Sequence, residues 1–238
     1  MTNEIPAPDA RLALAASFVR PGAVVCDVGT DHAYLPLDLL RRGVIARAVA
    51  TDVHEGPLAR ARANAARSGY TDRIEFLLAD GVKTIDLAAR GVDTLLLCGM
   101  GGELIARILT EAPQTRAPGV RVIAQPMSSA VDLRLSLAQA GYRIEEERLA
   151  EAAGKIYTCM AIVWDGVERA PTSAEALLGA PHIRRGAAEP LFAPYLRREA
   201  ALVRRRRDGL AAGGRDAAQD DALLCEIRAI AERNGVEL

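Results

Sequence analysis

The apolar positions of the chain fall into short runs separated by amphipathic stretches, and the alternation repeats over the first 140 residues. Residues 9–19 put Leu12, Ala15, Ala16 and Val19 on one helical face, with Asp9 placed to cap the first turn and Pro21-Gly22 to end it. A strand is expected over 23–28, a helix over 33–42 stopped by Gly43, and a second strand over 46–53 carrying Asp52 near its end. The helix over 57–67 has Pro57 in its first turn and Gly69 just past its last. A third strand over 74–78 closes on Asp80-Gly81, a fourth over 92–98 on Gly99-Met100-Gly101-Gly102, and a fifth over 120–124 on Gln125-Pro126. Helices over 103–111 and 131–140 follow the last two. This order predicts a parallel sheet covered by helices on both faces.

The pattern then changes. Residues 142–149 and 156–164 are both strand-like, and the link between them is too short for a crossover helix, so they must pair antiparallel. The expectation is an α/β fold with a Rossmann-like seven-stranded sheet and an antiparallel last strand. Most dinucleotide-binding sheets carry a sixth parallel strand instead; five βα units followed by a hairpin is the order of class I methyltransferases. Residues 165–186 are rich in Pro, Gly and Ala and read as a linker. Beyond them, 189–210 and 216–233 read as a helical hairpin split at Gly213-Gly214, with coiled-coil character. The chain is thus expected to divide into a ligand-binding domain over 1–166 and a helical domain over 167–238.

Composition narrows the classes. Half of the 238 residues are apolar and only 4% aromatic, so a large core must be built from Ala, Leu, Val and Ile. The net charge of −1 excludes a strongly basic coat. One segment departs from it: residues 184–207 hold eight arginines against two glutamates, which serve either as a solvated helix face or as a track for phosphates. Cys26, Cys98, Cys159 and Cys225 have neither zinc nor redox spacing and read as buried free thiols of a reducing cytoplasm. Residues 1–20 lack a signal-peptide pattern and no apolar run is long enough to span a membrane. No metal site is expected.

The chemistry concentrates at strand ends. Asp27, Asp52 and Asp80 follow strands one, two and three, so three carboxylates share one rim of the sheet. The one after strand two suits ribose hydroxyls, and the one after strand three an exocyclic amine. Asp27-x-Gly29-x-Asp31 keeps only the first glycine of a dinucleotide loop, and the added carboxylate repels a pyrophosphate but attracts an ammonium or sulfonium. That favours S-adenosylmethionine over a nicotinamide cofactor. Gly99 to Gly102 lets a planar ring approach the backbone, with Met100 either at the site or in the core. His32 is suited to orient substrate or carry a proton, Tyr34 to stack on a base, and Gln125 to read a base edge; each has a plain structural role as alternative.

The stretch Asp27-Val28-Gly29-Thr30-Asp31-His32-Ala33-Tyr34-Leu35-Pro36, with Gly99-Met100-Gly101-Gly102, resembles the bacterial tRNA (adenine(22)-N1)-methyltransferases. Arg11-Leu12, Gln125-Pro126, Gly154-Lys155-x-Tyr157 and Gly179-Ala180-Pro181 with Glu189-Pro190-Leu191-Phe192 are similar too. Where that family often continues Gln-Pro with Asn, this chain has Met127, and its final hairpin is shorter and richer in Ala. The resemblance implies methyl transfer from S-adenosylmethionine to N1 of an adenine in tRNA, by a cytoplasmic enzyme whose helical domain helps to hold the tRNA. It implies a cofactor site lined by Arg11, Asp27, Gly29, His32, Asp52, Asp80, Gly81, Gly99 and Met100. The resemblance puts Gly99 and Met100 beside the methyl group and the target base; together with the residue readings above, the expected reaction centre is Asp31, His32, Tyr34, Gly99, Met100 and Gln125, with Asp31, His32 and Tyr34 positioning the base or accepting the proton later released from N6. Two rival readings stay open: a methyltransferase acting on a small molecule or protein, and a non-catalytic RNA-binding protein that kept the fold.

Overall fold

The structure, a computed structural model, describes residues 6–238. The part of the expected leader-free N-terminus that falls on residues 1–5 lies outside them. Helix α1 (Ala10–Ser17) is capped by Asp9, whose carboxylate accepts from the Leu12 amide at 3.0 Å. Then follow β1 (Val25–Val28), α2 (Tyr34–Arg41), β2 (Ala48–Asp52), α3 (Glu55–Arg67), β3 (Ile74–Leu78), β4 (Thr94–Gly101), α4 (Gly102–Glu111), β5 (Arg121–Ser128) and α5 (Ala130–Gln139). The hairpin β6 (Tyr142–Ala152) and β7 (Lys155–Trp164) turns on Ala153 and Gly154, both with positive φ, the geometry that matches strand twist in a two-residue turn.

The seven strands lie in the order β3-β2-β1-β4-β5-β7-β6. β1 to β5 are parallel, and β7 inserts antiparallel between β5 and β6, as the strand order along the chain predicted. Alternate strand residues go to opposite faces. Cys26, Val28, Leu95 and Leu97 face a core built with Ile105, Leu109, Leu133 and Leu137 of α4 and α5. Val25, Ala48, Ala50 and Leu96 face the other, built with Ala15, Leu37, Ala61 and Ala65 of α1 to α3. Strand order reverses between β1 and β4, which puts a crevice outside their carboxyl ends.

Three expectations need correction. Residues 165–186 are not a plain linker: they contain helices α6 (Ser173–Leu178) and α7 (Ala180–Arg185), the first opened by a Thr172/Glu175 capping box. The Pro and Gly that suggested a linker delimit these short helices. His182, which falls within the stretch read as a linker, is fully buried. And the thiol of Cys225 is exposed, whereas Cys26 and Cys159 are buried and Cys98 is half-buried.

Helices α8 (Phe192–Ala212) and α9 (Ala218–Arg233) form the expected hairpin around Phe192, Leu196, Leu224 and Ile227, and Leu149 of β6 inserts into that core. A buried polar cluster reinforces the junction. Arg134 of α5 donates to Glu147 Oε1 of β6 at 2.7 and 3.0 Å and to the carbonyls of Ala176 and Leu177. Thr158 also donates to Glu147 Oε1 at 2.7 Å, while His182 Nδ1 meets Glu189 Oε2 at 2.7 Å. Among the described residues no helix is long and apolar enough to cross a membrane, and no cluster of side chains is arranged to hold a metal ion.

Candidate active site

The rim of the crevice is assembled by the turns that leave β1, β2, β4 and β5. After β1, the amides of Gly29 and Thr30 both donate to the Thr51 carbonyl of β2, at 2.8 and 2.9 Å. This folds the loop back over the sheet and leaves Asp27 buried beneath it, where its carboxylate accepts from Thr30 Oγ1 at 2.5 Å. Burial pushes the Asp27 carboxyl up to about 7 against the lowering by that bond, and the neighbouring Asp52 raises it further. Asp52 is half-buried and accepts from the His54 amide at 2.9 Å.

The three strand-end carboxylates share the rim, but their surroundings differ. Asp80 is exposed and paired with Arg107 of α4 at 2.9 Å, and Gly81 beside it lies against Ile108. Asp31, read as an extra attractor of cations, forms an ion pair with Arg60 of α3. The hydrogen bond from Arg60 holds the Asp31 carboxyl below the usual range. Its other oxygen lies 3.2 Å from His32 Nε2. The His32 ring stacks on Tyr34, with centroids 5.0 Å apart and planes at 7°. The His32 carbonyl accepts from Asn64 at 2.9 Å, and Ala33 opens α2 in a left-handed conformation, φ 56°. Two contacts from α3 therefore fix the loop that carries the His32–Tyr34 stack.

Strands β4 and β5 run past the rim as a paired extension. The expected loop Gly99 to Gly102 is strand up to Gly101, with an irregularity that lets Met100 pair with Pro126 and Gly101 with Ser128. Gly99 has φ 79°, open to glycine but strained for other residues. Gly102 is required by proximity: an added Cβ would run into the Ser129 carbonyl and lie 3.0 Å from that of Ser128. Met100 is half-buried, packs against the core beside α4 and α5, and brings its methyl over Gly29.

Gln125 differs from expectation. It is 0% exposed, its Oε1 accepts from Arg11 Nη1 at 2.7 Å, and its Nε2 donates to the Pro126 carbonyl at 2.9 Å. Its amide is committed to the protein and has no edge left for a base. Arg11 is the group it presents. From α1 this side chain also binds Asp9 at 2.9 Å, approaches Gly99, touches Met127 Sδ at 3.5 Å and lies 5.9 Å from the Tyr157 ring centroid. Arg11 thus joins α1, β4, β5 and β7 at the mouth of the crevice.

Sequence reasoning missed Arg60 and Arg107, which look like any solvated helix arginine. It also missed Val53 and Leu78, at the ends of β2 and β3. They are 51% and 61% exposed, an apolar surface beside Asp52 and Asp80. Their position next to strand-end carboxylates was the available signal.

A methyltransferase-domain family profile matches residues 9–160. A tRNA (adenine(22)-N(1))-methyltransferase of Bacillus subtilis is 33% identical over 147 residues; the alignment spans 62% of this chain and 61% of that protein. A crystal structure from Streptococcus pneumoniae, of a candidate tRNA (m1A22) methyltransferase, is 33% identical, has a TM-score of 0.79, and is matched over 95% of this chain and 99% of that one. The same protein was also solved with S-adenosyl-L-methionine, and matches with a TM-score of 0.77. The B. subtilis m1A22 tRNA methyltransferase structure is 27% identical with a TM-score of 0.77, matched over 96% of this chain and 97% of that one.

Proposed function

The chain belongs to the methyltransferase-domain family, in the branch of the tRNA (adenine(22)-N1)-methyltransferases, and from that membership we propose that it transfers a methyl group from S-adenosylmethionine to N1 of adenine 22 in tRNA. The observation that carries the reading is the buried carboxylate of Asp27 beside the glycine-lined extension Gly99 to Gly102. One side of the crevice suits a cationic donor, and the other admits a flat acceptor.

The residues present fit the cofactor. Asp27 would face its cationic amino end, Asp52 its ribose hydroxyls, and Val53 and Leu78 its adenine, with Gly29, Gly81, Asp80 and Arg11 around them. Bound there, S-adenosylmethionine supplies an electrophilic methyl group and leaves as a neutral thioether. The acceptor N1 carries an in-plane lone pair, so the chain needs no general base before attack. Its task is alignment. The target base is taken out of its stack, and Tyr34, backed by His32, offers the aromatic surface that receives it. Gly99 and Met100 border the reacting edge. As N1 takes the methyl group, the positive charge passes from the donor sulfur to the acceptor ring. Asp31 serves by holding its loop to Arg60, and Gln125 by holding Arg11; neither is free to touch the base as the loop stands.

We place the division of labour at residue 166, with the sheet unit 1–166 binding cofactor and the helices 167–238 helping to hold tRNA in the cytoplasm. The test is incubation of unmodified tRNA with the protein and isotope-labelled cofactor, followed by nucleoside mass spectrometry and fragment mapping. Labelled N1-methyladenosine at position 22 is the expected result. Label on a protein or metabolite but not on tRNA would favour the first rival reading, and no binding of S-adenosylmethionine would remove the enzyme altogether.

A further inference from the structure

Strand β7 and α8 enclose, with the end of β5 and the start of α5, a cleft of about 500 Å³. Its floor is Thr158 and Tyr195, both buried. Its walls are Met127 from β5, Lys155 and Tyr157 from β7, and Arg198 and Leu202 from α8. Such a volume accommodates one nucleotide. The candidate active site and this cleft share a wall, because Arg11, which reaches Gln125 and Gly99, also touches Met127 and lies over Tyr157.

The cleft has the surface of a base and the charge of a single phosphate. Met127 and Leu202 are large apolar side chains, 43% and 44% exposed, and Tyr157 presents a half-buried ring. Lys155 is exposed at the hairpin tip with no ion-pair partner among the described residues. Arg198 is held in place by Glu199 at 2.6 Å, by the Ile156 carbonyl at 2.7 Å and over the Tyr195 ring. Asp132 and Glu199 also line the cleft, so it is not the unbroken cationic track that a run of phosphates requires. Mixed charge with aromatic and thioether surface is the character of a pocket for one base and one phosphate.

A base taken out of its stack drags its neighbour to the same mouth. We infer that this cleft takes the nucleotide adjoining the target adenine, its base against Met127 and Tyr157 and its phosphate on Lys155. The inference rests on the tRNA reading above and goes beyond it, since it gives the RNA strand a path away from the reaction centre towards α8.

The experiment uses the full chain and an unmodified tRNA transcript. It measures cofactor affinity, tRNA affinity as a function of salt, and steady-state kcat and KM for tRNA. Lys155→Gln should lower the slope of log affinity against log salt by about 1. Tyr157→Ala should weaken tRNA binding roughly 5- to 100-fold, with Tyr157→Phe restoring it. Leu202→Trp, which fills the cleft from an exposed position, should raise KM for tRNA. Cofactor affinity should stay that of the parent in all of them. If the parent methylates tRNA and Lys155→Gln and Leu202→Trp keep its salt slope and KM, the cleft is not on the RNA path and the inference falls alone. If cofactor affinity moves with these variants, the cleft belongs to the cofactor and the inference is overturned. If the parent places no methyl on tRNA, the inference falls together with the proposed activity.

Discussion

Asp27 is a carboxylate buried under a loop that its own neighbour Thr30 closes. Burial raises its carboxyl to about 7 in the free protein. A cationic ligand beside it favours the ionised form, so binding below that value must strip a proton. S-adenosylmethionine affinity should therefore fall by up to about tenfold per unit below about pH 7, and decline again above about 8 as the donor's own ammonium loses its proton. Calorimetric titration across that range checks it: Asp27→Asn should bind more weakly and lose the acid-side slope, and a parent protein without that slope would remove Asp27 from the cofactor site. Stability runs the other way. The folded value lies above the unfolded 3.8, so the contribution of the neutral form is full below 3.8 and is lost as pH rises through about 7. At this scale the sequence was legible where a residue type and a strand end coincide, as for Asp27 and Asp52. It was not legible where a partner comes from a distant helix. Arg60 takes Asp31 and Arg107 takes Asp80, and Gln125, exposed to reading as a loop amide, turns inward because Arg11 and Pro126 satisfy both of its ends.

Between elements, the cluster of Arg134, Glu147, Thr158, His182 and Glu189 ties α5, β6 and β7 to α7 and the turn that follows it. Burial alone would raise the Glu147 carboxyl, but Arg134 and His182 outweigh it and hold it well below the usual range. Its stabilisation is present above its ordinary value near 4.5 and is lost as pH falls through the lowered one. Burial alone would lower His182, but Glu147 and Glu189 raise it above 6.5, so its contribution is full below 6.5 and fades as pH rises through the raised value. The junction should be firmest between those limits. Glu147→Gln leaves Arg134 buried without its counter-charge and should cost about 3–5 kcal/mol in denaturant unfolding. The pair Arg134→Met with Glu147→Leu should cost less than either single change, and an additive double variant would argue against a coupled junction. These contacts join residues far apart in sequence, which is why Gly179 and Pro181 looked like a linker. The βα alternation and the hairpin were legible because period and turn chemistry are local; the docking of α6 and α7 on the sheet depends on a glycine at 179 whose Cβ would meet the Glu147 carboxylate.

Across the whole molecule, the near-neutral chain concentrates its arginines on α8, but the structure divides that cluster in a way composition did not show. Arg206 is bound to Asp220 of α9 at 2.5 Å, and Arg207 faces Asp208 and Asp221. Arg204 and Arg205 have no ion-pair partner among the described residues. The first pair of arginines therefore closes the helical hairpin, and the second leaves charge available to a polyanion. Replacing Arg204 and Arg205 together by glutamine should weaken tRNA binding at low salt and lower the salt slope by up to about 2, with unfolding unchanged. Arg206→Ala should do the reverse: it frees Asp220, loosens α8 against α9 and lowers the thermal midpoint, with little change in the salt slope. Measuring both quantities on both variants separates a phosphate contact from a structural ion pair. Equal losses of affinity in the two would mean that the hairpin acts on tRNA through its fold rather than through these side chains.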